Sequence, residues 1–73
     1  MYIETRFYDN GMTRARMHKT RPSIKQSDKY DVYIDKYDTL EEFSEDLEEL
    51  GDYKSQMFLD LKAGRWVDIT AYC

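Results

Sequence analysis

Apolar and polar residues alternate with a period of two from Tyr2 to His18 and again from Tyr30 to Tyr37, and the period lengthens to about 3.6 after Asp38. The first stretch predicts a β-hairpin. Asp9-Asn10-Gly11 suits a three-residue loop closed by a glycine bulge, which sets Tyr8 opposite Met12. In that register Ile3, Thr5, Phe7, Thr13, Ala15 and Met17 share one face, apolar and small enough to receive a helix. Tyr2, Glu4, Arg6, Tyr8, Met12, Arg14, Arg16 and His18 share the other, which is basic and aromatic. The second stretch predicts a third strand with Tyr30, Val32 and Ile34 turned to the core and Asp31, Tyr33, Asp35 and Tyr37 turned away. Between them, residues 19–28 hold the only proline and almost no apolar side chain, and read as a basic connection.

Leu40, Phe43, Leu47 and Leu50 recur at helical spacing, with Thr39 and Glu42 placed as a capping box and Gly51 as a left-handed terminator. The pattern predicts one helix over the whole stretch. Beyond Gly51 two readings compete. Tyr53, Met57, Phe58 and Leu61 form a helical stripe ending at Gly64, whereas a hairpin through Leu61-Lys62-Ala63-Gly64-Arg65 pairs Leu59 with Val67 and Met57 with Ile69. Leu59 lies off the stripe and favours the hairpin, with Trp66, Asp68, Thr70 and Tyr72 facing away. The expected fold is α+β: a small single domain, residues 1–73, with an antiparallel sheet of about five strands in the order β-β-β-α-β-β and one amphipathic acidic helix on one face.

Charge sharpens this picture. The net charge of -4 is unevenly spread, because residues 1–30 carry seven basic and three acidic side chains while the remainder carries four basic and twelve acidic ones. On a continuous helix, Glu41 with Glu45, Glu42 with Asp46, and Glu45 with Glu49 are like-charge pairs, each costing about 0.2–0.5 kcal/mol. Glu48 and Glu49 also stand in the last turn, where the helix dipole favours cations. Stability alone does not select this arrangement. Glu41, Glu42, Glu45, Asp46, Glu48 and Glu49 are therefore the candidate partner-binding set, directed at a basic protein surface; the competing reading is a solvated face.

The outer sheet face offers an alternative. Arg6, Arg14, Arg16, Tyr33 and Trp66 combine cations with stacking surfaces suited to single-stranded nucleic acid or to self-association as a homodimer. Asp31 and Asp35 are expected on the same side, where they would neutralise the arginines.

Other chemistry is sparse. His18 is the sole histidine and Cys73 the sole cysteine, which leaves no intrachain disulfide, and no glycine-rich phosphate loop or metal-ligand spacing occurs. The expectation is a non-enzymatic protein without cofactor or metal. With no charged-then-apolar leader and no apolar run of membrane-spanning length, it is expected to be soluble and cytoplasmic. In general character, a tiny acidic domain with paired hairpins and a polyacidic helix, the chain resembles the small inhibitors that phages direct against bacterial nucleases, CRISPR complexes and transcription enzymes. The resemblance covers no aligned stretch. It implies a phage-encoded inhibitor that mimics nucleic acid in the groove of a nucleic-acid-handling enzyme or defence complex, acting in the host cytoplasm.

Overall fold

The Asp9-Asn10-Gly11 loop closes as its residues dictate. Tyr8 N–H donates to Met12 O at 2.8 Å and Gly11 N–H to Tyr8 O at 3.0 Å, with Gly11 at φ 90, where a side chain is disfavoured. In the computed structural model, which describes residues 1–73, this loop joins β1 (Tyr2–Tyr8) to β2 (Thr13–His18) in the expected register, Tyr2 opposite His18 and Phe7 opposite Thr13. A third strand, β3 (Tyr30–Lys36), pairs with the other side of β1, and the two-residue β4 (Val67–Asp68) pairs with β2. The sheet is antiparallel with order β3-β1-β2-β4. It has four strands rather than five.

The difference lies after Gly51. Residues 53–62 form a helix, α2 (Tyr53–Lys62), where the hairpin reading expects a strand with Leu59 opposite Val67. Met57 and Leu61 are buried, one turn apart, while Leu59 is 63% exposed; its departure from the stripe marks a solvent position. The helix ends as Gly64 permits. At φ 77 it sends its N–H to Leu61 O, and Arg65 N–H reaches Asp60 O, the paired bonds of a Schellman motif.

The preceding helix is shorter than its pattern predicts. α1 spans Leu40–Glu45, opened by Thr39, whose Oγ1 accepts from Glu42 N–H at 3.2 Å. It stops before the turn in which Glu45 and Glu49 would oppose one another, and Glu48 N–H instead donates to Tyr72 O at 2.7 Å. Leu47 and Leu50 still pack against the core, from irregular backbone rather than from a helix. The observed order is thus β-β-β-α-α-β, closed by a short 3-10 turn over Thr70–Tyr72. The fold is α+β, and no helix is long and apolar enough to cross a membrane.

Ile3, Ala15, Leu40, Phe43, Met57, Leu61, Val67 and Ile69 form the core between the helices and one sheet face. The third strand is turned over relative to its alternation reading. Ile3 lies opposite Asp35, Thr5 opposite Tyr33 and Phe7 opposite Asp31, and residues opposite one another in a sheet share a face. Asp31, Tyr33 and Asp35 therefore stand on the helix side, and Tyr30, Val32 and Ile34 on the reverse side with Arg6 and Trp66. Alternation separates the two faces of a strand but does not say which is inside, and here α2 lies over β2 and β4, away from the β3 edge.

Candidate functional site

Three surfaces carry the chain's chemistry. On the reverse face of the sheet, Glu4 is only 8% exposed and is met by two side chains: Arg6 Nε at 2.8 Å and His18 Nε2 at 2.8 Å. A carboxylate so withdrawn from water needs such partners. Arg6 in turn lies between two rings, its guanidinium carbon 4.5 Å from the centre of Tyr30 and 4.4 Å from that of Trp66. Arg16 Nε donates to Gly64 O at 2.8 Å, and Arg14 stands over Tyr8 and opposite Asp68. The fold thus brings Arg6, Arg14, Arg16 and Trp66 together, and engages two of the three arginines internally. Tyr33, predicted among them, is on the opposite face, as are Asp31 and Asp35, so these acids do not offset the arginines.

The acidic set is also rearranged. Glu41, Glu42 and Glu45 lie on α1, Asp46 is its C-cap, and Glu48 and Glu49 follow in irregular backbone, Glu49 at φ 56. They form a run around one end of the molecule and not a single helical face. Two are committed within the fold. Glu41 Oε2 meets Lys54 Nζ at 2.6 Å and accepts from Ser44, and the Lys54 contact holds its carboxyl below the usual carboxylate range. Asp46 accepts from Tyr37 O–H at 2.6 Å; burial, then this bond, raises the Tyr37 phenol above its ordinary value. Glu42, Glu45, Glu48 and Glu49 are exposed and make no ion pair.

The third surface is one the sequence reading misses. Because the helices stop short of β3, Phe7 is 41% and Tyr33 55% exposed on the helix side of the sheet, and their rings meet edge to face at 5.5 Å. With Thr5, Asp31 and Asp35 they line an open depression of about 430 Å³. The signal was the spacing itself: once β3 is set antiparallel to β1 with Tyr8 beside Tyr30, Phe7 must share a face with Asp31.

No three His, Cys, Asp or Glu side chains converge in a metal-binding arrangement, and Cys73 is a free, exposed thiol. Neither family models, curated proteins nor solved structures yield a match to this chain.

Proposed function

We propose that the protein is a non-enzymatic binding module that presents the carboxylates around α1 to a basic groove on a nucleic-acid-handling enzyme or defence complex, in the manner of a small phage inhibitor that mimics nucleic acid. The observation that carries this reading is the contrast between the arginines of the reverse sheet face and the acids around α1. Arg6 and Arg16 are held within the fold by Glu4 and Gly64 O, whereas Glu42, Glu45, Glu48 and Glu49 stand in solvent without an internal cation. An unpaired run of one sign sets up a field that steers and binds the opposite sign. The same contrast weighs against single-stranded nucleic acid on the reverse sheet face, since arginines already bonded to carboxylate and carbonyl have less to offer phosphate.

The test pairs capture with competition. Immobilised wild-type protein should retain basic, nucleic-acid-binding proteins from a bacterial lysate, and duplex DNA should displace them. Retention should fall in a variant with Glu42, Glu45, Glu48 and Glu49 all changed to Gln. Capture that survives all four substitutions, or direct binding of a labelled oligonucleotide at low salt, would overturn the proposal.

A further inference from the structure

The open face beside β3 adjoins a free sheet edge, and the two features act on the same approaching chain. β3 is the outermost strand of the sheet; it pairs with β1, and on its outer side Tyr30 alone is bridged, to Ser27 of the preceding turn, which leaves the edge from Asp31 onward open. Met1 and Tyr37 exchange both backbone bonds at 3.0 Å, and Asp9 N–H donates to Lys29 O at 3.0 Å, which fixes the phase of the ladder. Asp31, Tyr33 and Asp35 therefore bond inward to β1, and the N–H and C=O groups of Val32 and Ile34 point out along the free edge. A strand added there bonds to Val32 and Ile34, and its side chains opposite Asp31, Tyr33 and Asp35 fall in the closely spaced, non-hydrogen-bonded positions.

We propose that this edge takes an extended basic segment of a partner protein as a fifth strand, antiparallel to β3, with the pattern basic-x-apolar-x-basic. The two basic residues stand across from Asp31 and Asp35, which form no ion pair within the chain, and the apolar one lies on the Tyr33 and Phe7 rings. Charge decides between occupants. A second copy of this chain, joined in the two-fold register centred on Tyr33, sets Asp31 against Asp35 of the other copy at two places, and like charges directly opposite destabilise a sheet. An acidic or uncharged strand leaves both carboxylates without a counter-charge. Phosphates are repelled by the same pair. This surface is separate from the acids of α1 and does not depend on their role.

The experiment uses the full chain, isotopically labelled for NMR, and a set of acetylated heptapeptides with a Lys-Thr-X-Thr-Lys core, X being Ile, Val or Phe. Matched peptides with Glu in place of Lys serve as controls. The basic set should shift the amides of Val32, Tyr33 and Ile34 and slow exchange of the outward-pointing Val32 and Ile34 protons; the Glu set should not. The doubly substituted Asp31→Asn, Asp35→Asn chain, which loses charge at two exposed positions, should keep its spectrum elsewhere and bind about fivefold more weakly. The variant with Glu42, Glu45, Glu48 and Glu49 changed to Gln should bind the peptides as wild type does. Absence of these shifts with every basic peptide, an equal response to the Glu set, shifts confined to α1, or concentration-dependent dimerisation through the same amides would each overturn the proposal.

Discussion

Replacing Arg6 with Ala tests whether the reverse sheet face is a structural layer or a binding platform. Arg6 makes a charge-assisted bond to a nearly buried carboxylate, a contact worth about 1.5–3 kcal/mol, and lies on two aromatic rings at about 0.5–1 kcal/mol each. His18 stays on Glu4 after the substitution and recovers part of this. The expected loss is about 2–4 kcal/mol, a large share of the roughly 4–11 kcal/mol that a chain this size commands, and it lowers the melting temperature by roughly 10–25 °C. Urea and thermal denaturation monitored by circular dichroism measure it directly. A cycle with Glu4→Gln adds a second readout. If Arg6 stabilises chiefly by satisfying Glu4, the double variant should be more stable than Arg6→Ala alone by about 1 kcal/mol, because the buried charge goes with its partner. An Arg6→Ala protein within about 0.5 kcal/mol of wild type, the range of ordinary surface changes, would refute the reasoning and return the arginine to the pool of residues free for a ligand.

Three other substitutions check separate parts of the structure. Leu61→Ala should cost about 2–5 kcal/mol and Leu59→Ala less than about 0.5 kcal/mol by urea denaturation, whereas a buried hairpin over these residues would make both costly. Glu49→Gly should stabilise by about 0.5–1 kcal/mol, since Glu49 holds a left-handed conformation that favours glycine; a lower melting temperature would show that its side chain is used within the fold. Asp68 is held below the usual aspartate range because its carboxylate accepts from Thr70, at 2.6 Å from the hydroxyl and 2.8 Å from the backbone N–H. A depressed folded-state value stabilises above the unfolded value and is lost as pH falls through it, so Asp68→Asn should be less stable than wild type at neutral pH and converge with it in acid. Parallel melting curves across pH, offset by a constant amount, would contradict this.

Local signals were legible in the sequence where the chain answers to itself. The hairpin loop, its register and the Thr39 cap follow from residues within four positions of one another, and the structure matches them. Facing and length depend on distant partners. Val32 and Ile34 are turned to the reverse face because β1 fixes their phase, and nothing in 30–37 alone records that. α1 stops at Glu45 although Leu47 and Leu50 keep the helical spacing, because Glu48 finds a backbone partner in Tyr72 and the like-charged third turn is avoided. α2 has only Met57 and Leu61 fully inside, so its periodicity is faint, and an exposed Leu59 counts against a helix that tertiary packing nonetheless supports. The acidic set was legible by composition, but its shape was not, since two of its six members are claimed by Lys54 and Tyr37.

The strand order has a consequence for how the molecule is assembled. The first eighteen residues fill the two central places in the sheet, and β3 and β4, both encoded later, pair with them and not with each other. A ribosome therefore releases the template before the pieces that use it, and the hairpin, whose register is local, can stand ready while residues 19–29 are still being made. Cleavage within that linking stretch would leave an amino-terminal fragment and a carboxy-terminal one that complement each other, the larger unable to complete a sheet until the smaller slides between its edges.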